Sequence, residues 1–125
     1  MTRLLALPHV MLVEDESVVL QHLAAEFEDA GWGVVEASSA EEALALYQGH
    51  PVDAAVIDIQ LAGYMNGVEL ANVLRAVGHA GPFVFVSGRA MPRGPMPAGS
   101  VFHPKPVDAS ELIRTTRRLL SAQEH

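Results

Sequence analysis

Five short apolar runs punctuate this chain: HVMLV (9–13), VVEA (34–37), AAVID (54–58), FVFVS (83–87) and VFH (101–103). Runs this short and this continuous suit strands that are covered on both faces. Between most of them the apolar residues recur every three or four positions, which is the spacing of one helix face. Leu20, Leu23, Phe27 and Ala30 form the first such face, and it stops at Gly31, where a left-handed helix end costs little. Ser39 with Glu42 makes a capping box that opens a second helix running to about Gln48. Asn66 and Glu69 cap a third, with Leu70, Leu74 and Val77 inward. Asp108 with Glu111 boxes the last, which carries Leu112, Thr116 and Leu119. The order is β-α-β-α-β-α-β, then a segment of neither kind, then β-α. Alternation of this sort predicts a parallel sheet with helices on both faces, because right-handed crossovers lay each helix back over the sheet.

The irregular segment is SGRAMPRGPMPAG, Ser87 to Gly99, with three prolines and three glycines in thirteen residues. An interior proline costs a helix about 3 kcal/mol, so Pro92, Pro95 and Pro97 leave room for at most one turn. No helix of two or more turns is expected between Ser87 and Val101. Arg89, Met91, Arg93 and Met96 suit a cover over whatever lies at the end of FVFVS, since methionines repack readily, and the competing reading is a shortened loop that only connects two strands.

With 125 residues, half of them hydrophobic, the chain reads as one domain over residues 1–125, with no output domain after the last helix. The formal charge of −7 and eight thinly spread Lys and Arg residues argue against direct nucleic-acid binding. Without cysteine there are no disulfides or thiolate sites, which is compatible with a reducing cytoplasm. No apolar run reaches the roughly 18 to 20 residues that a membrane span needs, so membrane insertion is not expected. The six histidines, at 9, 22, 50, 79, 103 and 125, lack metal-ligand spacing, although His103 lies close to the strand ends. GWG (31–33) follows a helix and has no third glycine, so it reads as a turn and not a dinucleotide loop.

In an open parallel sheet, ligands bind at the carboxyl ends of the strands, near the point where strand order reverses. Glu14 and Asp15 lie at the first strand's end, Asp58 ends AAVID, Ser87 ends FVFVS and Lys105 follows the last strand. Three carboxylates brought together repel, and each needs either a raised pKa or a cation. Mg²⁺, a hard cation that takes a couple of carboxylates together with waters and a phosphate, meets that need. A carboxylate can also accept a phosphoryl group, with a hydroxyl and a lysine neutralising the transferred oxygens.

VEDE, AVIDIQL, FVSG and HPKP, in that order, resemble the receiver domain of two-component response regulators over essentially the whole chain. The resemblance implies a flavodoxin-like (CheY-like) doubly wound sheet of five parallel strands in the order 2-1-3-4-5, here with the fourth helix degenerate or absent. It makes Asp58 the phosphoacceptor, and Glu14 and Asp15 the acidic pair for Mg²⁺, Asp15 touching the ion and Glu14 acting through water. Gln60 would offer the ion its main-chain carbonyl. Ser87 and Lys105 would hold the phosphoryl group, and Phe102 falls at the switch aromatic. The implied partners are a histidine kinase or histidine phosphotransfer protein and an unknown downstream protein, in the cytoplasm. The resemblance implies a phosphoacceptor and not an enzyme, one that at most would catalyse its own phosphorylation and dephosphorylation. Two departures stand out: Ala62 replaces a proline usual in the family, with Gly67 one residue later than expected, and Ser87 and Lys105 are unusually close in sequence.

Other readings compete with this one. The acids could be solvated residues capping the first helix, and Phe102 could be plain core. A receiver-like module could bind its partner without being phosphorylated, as the altered loop would allow. A haloacid-dehalogenase-type phosphatase also forms an aspartyl phosphate, but would want an acid where Gln60 stands.

Overall fold

In the computed structural model, residues 7–89 and 96–123 are described. The apolar runs form β1 (His9–Val13), β2 (Gly33–Ala37), β3 (Ala54–Asp58), β4 (Phe83–Ser87) and β5 (Ser100–Pro104). All pair in parallel, in the order β2-β1-β3-β4-β5, as expected. Position in the sheet follows composition. The continuous runs of β1, β3 and β4 take the three central places and are buried almost throughout, whereas β2, with Glu36 on its exposed side, and β5 take the edges.

Because side chains alternate along a strand, each central strand feeds two cores. Val10, Leu12, Ala54, Val56, Val84 and Val86 point to one face, and Met11, Val13, Ala55, Ile57, Phe83 and Phe85 to the other. Helices α1 (Ser17–Asp29) and α4 (Ala109–Gln123) cover the first core with Leu20, Leu23, Phe27, Leu112 and Leu120. Helices α2 (Ala40–Tyr47) and α3 (Gly67–Ala76) cover the second with Ala40, Ala43, Leu70 and Leu74. These are the four helices among the described residues, and none is long and apolar enough to cross a membrane.

Helix ends depart from expectation in instructive ways. Ala30 and Val77 are not inward-facing; they are the C-cap residues of α1 and α3, Ala30 exposed and Val77 61% exposed, and Ala24 and Ala71 complete the buried faces instead. Asn66 and Glu69 make the full reciprocal box, at 2.9 Å in both directions. Ser39 accepts the Glu42 amide at 3.0 Å, but the Glu42 carboxylate reaches one residue further back, to the amide of Ser38 at 2.6 Å. Asp108 accepts from the amides of Ser110 and Glu111. GWG links α1 to β2. Gly31 takes the left-handed φ of +94°, Trp32 is buried edge-on to Phe27, and a Cβ on Gly33 would meet the His9 ring at 2.5 Å.

Of the Pro/Gly segment, residues 88, 89 and 96–99 are turn, bend or irregular, and residues 90–95, with Met91 and Arg93, lie outside the described residues. Met96 packs against the α2/α3 core. Arg75 holds the segment's far end: one guanidinium nitrogen donates to the carbonyls of His79 and Gly81, and the other to that of Ala98, each at 2.8 Å, with the group 4.5 Å above the Phe83 ring.

His79, 3% exposed, packs against Tyr47 and Phe83, and its Nε2 has no hydrogen-bond partner among the described residues. Burial, helped by the charge of Arg75 and opposed by the Pro82 backbone and Asp53, lowers its pKa from 6.5 to about 4. The folded protein therefore keeps His79 neutral while the unfolded chain protonates it below about pH 6.5. Stability from this group is lost as pH falls from 6.5 towards 4, and no further below that, by up to about 3 kcal/mol. Urea unfolding at pH 7 and pH 4.5 should show that loss in the wild type and a much shallower one in His79→Leu. Equal slopes would mean that His79 does not carry the pH dependence.

Candidate functional site

Parallel pairing brings the carboxyl ends of β1, β3, β4 and β5 to one edge, and short backbone bonds fix the residues there. The Glu14 amide donates to the Ala37 carbonyl, that of Ile59 to Val86, and that of Lys105 to Ser87 at 2.8 Å. From these positions the Lys105 ammonium reaches Glu14 Oε1 at 2.8 Å and Asp58 Oδ2 at 3.0 Å. Both carboxylates are buried, Glu14 3% and Asp58 5% exposed, while Asp15 is exposed on the rim.

The remaining oxygens are held by backbone amides. Glu14 Oε2 accepts from Glu16 N–H at 3.1 Å, and Asp58 Oδ1 from Gln60 N–H at 2.9 Å. Glu16, the N-cap of α1, makes no side-chain capping bond, so the acids are turned to the strand edge instead of capping the helix. Burial pushes the Glu14 carboxyl up, against the Lys105 and Glu16 hydrogen bonds, and the nearby Asp58 charge adds to the rise. For Lys105, burial works against the ammonium, but the hydrogen bonds and charges of Glu14 and Asp58 outweigh it and raise its pKa.

Glu14, Asp15 and Asp58 each offer an oxygen within 4.8 Å of the others. An all-oxygen, three-carboxylate set partly open to solvent, whose negative charge one lysine cannot fully balance, suits a hard divalent cation such as Mg²⁺, which retains waters.

Both departures in the loop between β3 and α3 acquire a physical reason. Ala62 donates its amide to Asp15 Oδ2 at 3.2 Å, a bond that a proline could not make. Further along the loop Gly63 has φ +106° and Tyr64 is fully exposed. Gly67 then packs directly on the end of β3: its amide donates to the Ile59 carbonyl at 3.0 Å, and a Cβ there would lie 2.3 Å from the Asp58 carbonyl oxygen. The atom in the way is backbone, so Gly67→Ala should cost about 2–3 kcal/mol in urea unfolding. A variant as stable as wild type would show that the loop yields easily.

The other expected site residues fall in different places. Ser87, 1% exposed, bonds neither acid nor Lys105 through its side chain; its hydroxyl donates to Gln60 Oε1 at 2.7 Å. Phe102, in register with Phe85, is half-buried against the α2/α3 core. His103 turns to the other face, where its ring nitrogen is 3.2 Å from Thr115 Oγ1 of α4. Sequence reasoning assigned Gln60 only a main-chain role and missed both its side chain and the Ala62 amide.

The model of the response regulator receiver domain matches residues 10–117. The chain belongs to that family. This receiver is 35% identical over 121 residues to the sensor kinase CckA of Brucella abortus, a match covering 92% of this chain and 13% of that protein. It is 34% identical over 82 residues to the aerobic respiration control protein ArcA of Escherichia coli, covering 66% and 34%. Among solved structures, a response regulator receiver protein from Sinorhizobium medicae superposes with a TM-score of 0.85 at 28% identity, covering 94% of this chain and 98% of that one. This receiver thus spans about a third or less of the length of these curated relatives.

Proposed function

We propose that this receiver takes a phosphoryl group onto Asp58 from a histidine kinase or histidine phosphotransfer protein and signals by changing its affinity for another protein. The observation that carries this reading is the Asp58 carboxylate itself, buried at the strand edge, 3.0 Å from the Lys105 ammonium and inside a three-acid cluster. In the transfer, an Asp58 oxygen attacks phosphorus, the bond from phosphorus to the donor's imidazole nitrogen breaks, and the imidazole leaves with the electron pair and takes up a proton. The product is a mixed anhydride on Asp58.

Lys105, already on Asp58, is placed to follow the new charge onto the phosphoryl oxygens, and Ser87 at the end of β4 supplies a hydroxyl donor. Glu14, Asp15, Asp58 and the main-chain carbonyl of Gln60 would hold Mg²⁺, whose charge would offset that of the phosphoryl group when bound. Phe102 is the proposed switch aromatic, leaving its half-buried seat as Ser87 changes partner. The unit acts as a single receiver over 1–125 in the cytoplasm, through protein contacts and not through nucleic acid.

Incubation with acetyl phosphate and Mg²⁺, followed by intact mass and peptide mapping, tests the reading. One phosphoryl group on the peptide containing Asp58 is expected. An unlabelled protein would favour the phosphorylation-independent alternative.

A further inference from the structure

Two donors at the end of β4 converge on one acceptor, the side-chain oxygen of Gln60. The Ser87 hydroxyl donates to it at 2.7 Å and the Gly88 amide at 3.3 Å, while the Ser87 oxygen itself accepts from the Arg89 amide at 3.0 Å. The same residue donates its backbone N–H to Asp58 Oδ1. Gln60 therefore straddles the acid and the hydroxyl, and its carboxamide oxygen takes the donors that an oxygen-rich group on Asp58 would need. A hydroxyl has one proton to give, so the carboxamide and such a group compete for it.

We propose that the Gln60 side chain is a latch: it holds Ser87 and Gly88 in the unmodified arrangement and must swing away before a phosphoryl group on Asp58 can be bound by them. The inference rests on Asp58 being the acceptor. It is energetically feasible in both directions. Two neutral hydrogen bonds hold the latch, and the charge-assisted bonds that replace them on a phosphoryl group are about twice as strong. The latch thus weakens the modified arrangement without forbidding it, and sets how readily the receiver leaves its resting state. Gln60 acts here as a positioning residue, through Ser87, with no part in bond making.

The test is binding of beryllofluoride, a phosphoryl mimic, with Mg²⁺ to the isotopically labelled full chain, followed by NMR for wild type, Gln60→Ala and Gln60→Met. Methionine keeps much of the length but removes the carboxamide acceptor. Both variants should show shifted Ser87 and Gly88 amide resonances before any mimic is added. Both should bind the mimic roughly three- to tenfold more tightly, the worth of about one net hydrogen bond no longer lost on binding. Wild type that binds while the variants bind equally or more weakly overturns the latch alone; weaker binding would mean that the carboxamide contacts the phosphoryl group. Wild type that does not bind at all overturns the assignment of Asp58 and the latch with it.

Discussion

Asp58→Asn should gain no phosphoryl group from acetyl phosphate and Mg²⁺ under conditions in which the wild type gains one that is stable in acid and labile in base. The carboxamide nitrogen has its lone pair delocalised and the carboxamide oxygen carries no full charge, so neither attacks phosphorus as a carboxylate does. Glu14 is a poor substitute: it is buried, one of its oxygens is on Lys105 and the other on the Glu16 amide. Asp15 is exposed and held by the Ala62 amide, on the rim of the cluster. The fold should survive the change, because the carboxamide oxygen can still accept from the Gln60 amide, and the substitution removes one of two buried anions that share a single lysine. A chelator should abolish labelling of the wild type as completely. Three carboxylates would otherwise confront the incoming phosphoryl oxygens with, among the described residues, only the Lys105 ammonium bonded to them. Equal labelling of wild type and Asp58→Asn would move the acceptor elsewhere.

What could be read from the sequence follows how local each signal is. HVMLV, AAVID and FVFVS announce central strands because burial on both faces demands unbroken apolar residues. Once the strands are parallel, Glu14, Asp58, Ser87 and Lys105 must share an edge, so which residues meet there was legible as well. Its wiring was not. The bond from Ser87 to Gln60 spans 27 residues and that from Ala62 to Asp15 spans 47, and both join segments whose relative position only the folded sheet decides. The missing proline at Ala62 was visible as an oddity, but its consequence, an amide that donates to Asp15, depends on where the fold brings the two loops. Periodicity likewise continues through Ala30 and Val77 although the helices have already ended there, because a repeat of three and four carries no stop signal of its own.

Lys105→Ala should destabilise the protein by about 2 kcal/mol at neutral pH without Mg²⁺, and the loss should shrink when Mg²⁺ is added. Removing one partner of a buried ion pair leaves an uncompensated charge, at a cost of about 3–5 kcal/mol for full burial. Here two anions are left, Glu14 and Asp58, while the lysine side chain, 22% exposed, lets water recover part of the cost. The sign with pH also follows. Burial already raises the Glu14 carboxyl, and losing the lysine raises it further, so the folded variant binds a proton at a higher pH than its unfolded chain. Its deficit relative to wild type should therefore be largest above that folded pKa and should close as pH falls through it. Asp58→Asn supplies the control, since with only Glu14 left to face the gap, Lys105→Ala should cost less in that background than in wild type. Urea denaturation of the four proteins gives the coupling directly. If the two changes are additive and Mg²⁺ restores nothing, Lys105 is not balancing the acid pair, and the 2.8 and 3.0 Å contacts would be geometry without energetic consequence.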